Sequence, residues 1–326
     1  MTAVNTAGNV THADPGPDLA EVKMHIAGPR EPAVGVVVKN ERCTAGRRAA
    51  GFVRHVEVDV SDTPLAGSFV PGQSFGVHAP GQDHRGRPHA LRLYSIASPS
   101  AGEDGSGGVI ATTVKRLIDE NAEGPGLHVG VTSNYLCDLK PGDELRLSGP
   151  NGKRFVLPAR PDEHDYVFFA TGTGIAPFRG MVMDLLKAAP QRRIALVMGA
   201  PYETDLIYDQ MLTELADKHA NFTYLPTVSR HAHRDASPGC YVQDRLETHL
   251  DTLGDVLCNE RGLVYACGLL GMDLGIVQGL ARTLPPEWLG RYLTIDPDVA
   301  GDVSAWTRKM VHRQVKPTRR VFLEVY

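Results

Sequence analysis

Four parts of the sequence combine residue types that could handle nucleotides or electrons. ATGTGIAPFRG (170–180) sets Gly172, Thr173 and Gly174 between an apolar strand-like run and a helix-like one. Glycines let a backbone approach phosphate closely, and a helix start offers unpaired amides with partial positive charge. A plain tight turn has the same spacing, so this segment alone leaves both readings open. RLYSIAS (92–98) supplies Arg92, Tyr94 and Ser95. Strand alternation puts Arg92 and Tyr94 on one face and Ser95 on the other, unless a turn re-aims it. An Arg can clamp a pyrophosphate, a Tyr can cover a flavin and a hydroxyl can hydrogen-bond a ring nitrogen. An ordinary amphipathic strand would also look like this. Ser229-Arg230 follows a strand-like run, where a 2′-phosphate site belongs, and Tyr241-x-Gln243 comes soon after. That stretch also reads as a solvated loop. Cys267 sits in YACG (265–268), although a free Cys is commonly a small buried hydrophobe.

Two kinds of element must position these groups. From about residue 33 to 158 the chain reads as short β-rich runs, among them AVGVVVKNE, GFVRHVEVDV, VIATTVKRL and DELRLSGP. Gly and Pro turns separate them, which predicts a small antiparallel β-barrel. Near residue 163 the pattern becomes βα alternation: YVFFATG, RIALVMGA, FTYLPTVS and GLVYACG each precede a helix-like run. That predicts a parallel sheet covered by helices, with ligands beyond the carboxyl ends of its strands. The expected organisation is a flexible leader over 1–32, a barrel domain over 33–160 and an α/β domain over 161–326, ending on the strand-like VFLEVY.

Composition narrows the function. The 326 residues carry a formal net charge of −4, so there is no bulk basic signature for nucleic acid. No apolar run is long enough for stable membrane insertion. The N-terminal stretch lacks the pattern of a secretory signal, and its acidic residues do not fit a transit peptide. The five cysteines are odd in number and contain no Cys-x-x-Cys, so no metal site or cluster is expected and reduced thiols fit the cytoplasm.

In order along the chain, RLYSIAS, VKRL, GVTSNYLCDLKPGD, ATGTGIAPFRG, YACGLLGM and a final EVY resemble the plant-type ferredoxin–NADP reductase family. The resemblance runs from about residue 33 to Tyr326. It implies an FAD-binding barrel, an NADP-binding α/β domain and electron transfer between NADP(H) and a one-electron carrier such as ferredoxin or flavodoxin. Hydride would pass between nicotinamide C4 and flavin N5. Ser95, Cys267, Glu324 and Tyr326 correspond to the family's catalytic group, with Tyr326 stacking where the nicotinamide must sit. FAD contacts are implied for Arg92, Leu93, Tyr94 and Ser95, for Thr113, Val114 and Lys115, and for Gly130, Val131, Thr132 and Ser133. NADP contacts are implied for Thr173, Ala200, Pro201, Ser229, Arg230, Tyr241, Gln243, Gly268 and Leu269.

The sequence departs from the family at several places. Thr132 stands where the family usually has Cys, Asp119 where plant members place a Tyr on the adenine, Gly239 where a Lys precedes the adenine Tyr, and Ala90 where a carrier-docking Lys is usual. The match over 285–320 is looser, and TIDPDVAGDV reads as an insertion. A reductase component feeding an oxygenase, including the aromatic CoA-thioester kind, would present the same flavin site. A non-catalytic flavin- or nucleotide-binding scaffold is the reading from another class.

Overall fold

A computed structural model describes residues 16–45, 49–121, 124–233 and 237–326. The first unit is built from β1 (Ala33–Arg42), β2 (Val53–Asp59), β3 (Ser74–Val77), β4 (Arg92–Ser95), β5 (Val109–Lys115), β6 (Ile118–Glu120), β7 (Leu127–Val129), α1 (Val131–Asp138) and β8 (Glu144–Asn151). Six strands form one antiparallel sheet in the order β4-β3-β8-β1-β2-β5. Ile96, just past β4, bridges Thr112 in β5, so the two edges meet and the sheet closes. Closure removes unpaired strand edges. Alternating side chains, including Val56, Val58, Phe75, Leu145 and Leu147, fill the interior. The antiparallel barrel is thus as expected, while β6–β7 is an added hairpin outside the main sheet.

The second unit contains β9 (Asp165–Thr171), α2 (Ile175–Ala188), β10 (Ile194–Ala200), α3 (Asp209–Lys218), β11 (Phe222–Val228), α4 (Arg245–Thr248), α5 (Leu250–Leu257), β12 (Gly262–Gly268), α6 (Met272–Thr283), α7 (Pro286–Tyr292), β13 (Leu293–Ile295), β14 (Val315–Pro317) and β15 (Val321–Val325). Its sheet runs β11-β10-β9-β12-β15, all parallel. Both faces are covered, which explains the uninterrupted apolar strands. Tyr166, Phe168 and Ala170 enter one core, while Val167 and Phe169 enter the other. The order of connection reverses between β9 and β12. Their following loops therefore diverge and leave a crevice at the switch point.

One expectation changes. Of the leader expected over 1–32, residues 1–15 lie outside the described residues, but residues 17–27 run along the barrel. Ala20 and His25 donate to Leu157 O and Pro150 O, Ala27 exchanges backbone hydrogen bonds with Gly149, and Gln73 Nε2 donates to Lys23 O. These are main-chain contacts, which leave no side-chain pattern to read. The stretch expected as an insertion forms short 3-10 turns, Pro297–Val299 and Val303–Ala305. Buried Trp306 anchors them against α6, donating Nε1–H to Val299 O.

Candidate active site

The switch point is tightly built. A Cβ on Gly174 would lie 2.1 Å from Cys267 O, and one on Gly268, at φ 148°, would lie 2.1 Å from Thr171 Oγ1. Only glycine permits these two loops to touch. Thr171 Oγ1 accepts from Leu269 N–H at 2.9 Å, which pins the loop after β12 to the end of β9. Thr173 then stands at the start of α2, facing the barrel, and its hydroxyl pairs with Tyr326 Oη at 2.9 Å. Tyr326 N–H donates to Gly268 O, so β15 holds the aromatic ring at the same place.

Between the units lies a cavity of about 530 Å³. Its barrel wall is made by Arg92, Leu93, Tyr94 and Ser95 from β4, Thr113 and Lys115 from β5, and Gly130, Thr132 and Ser133 at the start of α1. Thr173, Glu324 and Tyr326 close it from the α/β side. Side chains from successive positions of β4 reach it, so Ser95 is brought in beside Arg92 and Tyr94. No side chain caps the N-terminus of α1, whose first residues therefore offer amides to an anion. The rim carries apolar groups open to solvent: Leu93 is 58% exposed and Leu117 41%. An Arg, free amides and an uncovered apolar rim suit a large, partly aromatic, anionic cofactor.

Electrostatics separate the candidate catalytic groups. Burial pushes the Tyr94 hydroxyl up to about 12, so it stays neutral. More than a third of Glu324 is open to solvent, yet its carboxyl is crowded enough that desolvation raises its pKa above the ordinary Glu value. Cys267 is fully buried, packs with Tyr265 and Phe178, and has its thiol pushed well up by burial and then by the Glu324 charge. It lies behind the cavity wall as a neutral thiol. Val114 also points into the barrel core, and Val131 is exposed beside the cavity.

The remaining expected residues gather beyond β10 and β11. Ser229 N–H donates to Ala200 O and Arg230 N–H to Pro201 O, which joins both strand ends into one shelf. Tyr241 is exposed, and its N–H donates to the Asp244 carboxylate. Gln243 packs against Gly275 at the start of α6. A Cβ at Gly239 would come within 2.5 Å of His231 O, so this turn excludes the family's Lys in its present path. Asp119 lies on β6 opposite His128 of β7 and is exposed. Sequence reading missed Ser74, Leu117, His128 and Ala176 as cavity residues. Ser74 is visible only through its pairing with Ser95, and Leu117 and His128 only once the β6–β7 hairpin exists.

Comparison with known proteins agrees with this architecture. The oxidoreductase NAD-binding domain family matches residues 168–278. Ferredoxin–NADP reductase of Spirulina sp. is 34% identical over 267 residues, covering 80% of this chain and 90% of that protein. The chloroplastic leaf isozyme 1 of Arabidopsis thaliana is 36% identical over 270 residues, covering 80% and 73%. Among solved structures, ferredoxin–NADP+ reductase from Plasmodium falciparum superposes with a TM-score of 0.67 at 20% identity, covering 93% of this chain and 99% of that one.

Proposed function

Because the chain belongs to the plant-type ferredoxin–NADP reductase family, we propose that it is an FAD-dependent oxidoreductase moving electrons between NADP(H) and ferredoxin. The observation that carries this reading is the convergence of Ser95, Thr173, Glu324 and Tyr326 on one cavity at the sheet's switch point. When bound, FAD supplies the redox chemistry, taking hydride from NADPH and giving up electrons one at a time.

This chain's residues supply binding, alignment and charge control. Arg92 and the amides of Val131, Thr132 and Ser133 hold the FAD pyrophosphate; Leu93, Tyr94 and Lys115 hold the rest of the cofactor. Thr113 and Val114 support that wall from β5. Thr173 and the start of α2 receive the NADP pyrophosphate, Ala200 and Pro201 carry the shelf, and Ser229 and Arg230 take the 2′-phosphate. Tyr241 covers the adenine, with Gln243 beside it. Gly268 and Leu269 border the nicotinamide, and Tyr326 occupies its place until the dinucleotide enters. Ser95 offers a hydroxyl hydrogen bond at the reacting edge, and Glu324 a carboxyl with elevated proton affinity. Cys267 shapes the wall from behind.

The division into a flavin-binding unit over 33–160 and an NADP-binding unit over 161–326 belongs to the same reading. Flavodoxin is the second carrier of fitting chemistry. The cytoplasm is the compartment we favour, since all five cysteines are free. The homology to reductases favours this reading over an oxygenase component or a non-catalytic scaffold.

Anaerobic titration with NADPH and with NADH, following flavin absorbance, tests the proposal. Bleaching at much lower NADPH than NADH is expected. Equal bleaching removes the 2′-phosphate role of Arg230, and bound flavin that neither nucleotide bleaches removes the enzyme reading.

A further inference from the structure

The cavity keeps its shape only while the two units hold one juxtaposition, and Tyr208 sits on their seam. It belongs to the α/β unit, just before α3, with its backbone in the left-handed region at φ 61°. A bulky residue there is unfavourable and persists only where its surroundings over-determine it. Its hydroxyl crosses to the barrel, lying 2.7 Å from Thr113 Oγ1 on β5 and 2.7 Å from His55 Nδ1 on β2.

The direction of this chain follows from its far end. Glu57 lies 3.2 Å from His55 Nε2, and that hydrogen bond is the main influence holding its carboxyl below the usual range. A carboxylate only accepts, so Nε2 carries a proton. With Nε2 donating to Glu57, Nδ1 is placed to accept from Tyr208, whose oxygen is placed to accept from Thr113. Burial raises the Tyr208 pKa, which keeps its hydroxyl a donor. Arg179 of α2 covers the Tyr208 ring at 5.2 Å while donating to Ala97 O and to both Glu103 oxygens. His55, Glu57 and Glu103 bring three potential metal-ligand atoms within 4.8 Å of one another. Lys39 and Arg179 already pair with the two carboxylates, so the group acts as a joint.

We propose that Tyr208 is a positioning residue, fixing the flavin wall of the cavity against the nucleotide loop. Thr113 lines that wall, and α2, held through Arg179, begins at the loop carrying Thr173. The role rests on the function proposed above. Its removal leaves both binding surfaces intact and loosens their alignment.

Tyr208→Phe keeps the ring and removes the hydroxyl. At saturating NADPH the rate of flavin bleaching should fall by about tenfold, since a misplacement of roughly 1 Å costs up to about 10²-fold. The Kd for NADP+ should stay within about twofold of the parent. In hydrogen exchange, amides of β5 and of residues 97–103 should exchange faster, with β9 unchanged. Thr113→Val should give the same pattern, and the double variant should be no slower than either single. Bleaching at the parent rate overturns the role. So does a rate loss matched by an equal loss of NADP+ binding. The parent is measured alongside: its failure to bleach removes the function itself, whereas parent bleaching with an equal variant removes only the positioning role. If Tyr208→Phe does not accumulate as a folded flavoprotein, His55→Leu, which removes the hydroxyl's other partner from outside the cavity lining, reads the same joint with the same outcomes.

Discussion

Glu324 shows how one residue couples site and stability. Desolvation raises its folded-state pKa above the ordinary Glu value. A carboxyl shifted this way prefers its protonated form in the fold. Its contribution is therefore full below the unfolded pKa of about 4.3 and is lost as pH rises through the folded value. Glu324→Gln mimics the protonated form at every pH. The variant should match the parent's Tm near pH 4 and exceed it near pH 8. The pH dependence of NADPH-driven dye reduction should also lose a limb lying above the ordinary Glu range. A Tm difference that is the same at both pH values would mean the carboxyl is not desolvated in the fold. A limb that survives the substitution belongs to another group.

At the scale of elements, α2 joins the nucleotide loop to the barrel. Ser100 donates its N–H and hydroxyl to Asp184, and Arg179 forms a two-pronged pair with Glu103 whose side chains are only 10% and 13% exposed. Removing one partner of such a pair strands the other away from water. Arg179→Met should cost about 3–5 kcal/mol, whereas Arg179→Met with Glu103→Leu should recover most of it. Thermal or urea unfolding of both variants decides this; a double variant no better than the single would mean that guanidinium packing on Tyr208, rather than charge pairing, holds the interface. This interface was not legible in the sequence. PFRG reads as the first turn of a helix, but nothing in its spacing points to a Glu 76 positions earlier. The helices and strands were more legible where burial is two-sided, as in VFFAT, or alternating, as in the second half of β2, VEVD. Nothing in the sequence marks the start of α1, because Gly130 caps it without a side-chain hydrogen bond. The three-residue strands β6 and β7 are too short to display a period.

At the scale of the molecule, order along the chain identified most of the cavity, because each motif marks a strand end and the fold gathers strand ends. Thr173 and Tyr326 are 153 positions apart, and only the β9-β12-β15 order brings their hydroxyls together. Cys267 was legible as a neighbour of the site, but its direction depends on which face of β12 packs inward. Overall charge gave less, since a net −4 does not by itself attract an acidic carrier. Attraction must come from local fields. Arg92 and Lys115 line the cavity, and Lys309 lines a second depression of about 550 Å³, where Arg308 is already paired with Asp273, on the far side of Glu324. The two depressions share that residue, so a carrier docking over them meets positive charge from both units. Such steering acts on association and is screened over about 10 Å at 0.1 M salt. Reduction of ferredoxin by the pre-reduced protein should therefore slow steeply between about 0.05 M and 0.5 M salt, while reduction of a neutral quinone changes little. Lys309→Glu should weaken the ferredoxin reaction several-fold at low salt, converge on the parent at high salt and leave the quinone reaction unchanged. Parallel salt dependence for both acceptors would place the carrier elsewhere on the surface.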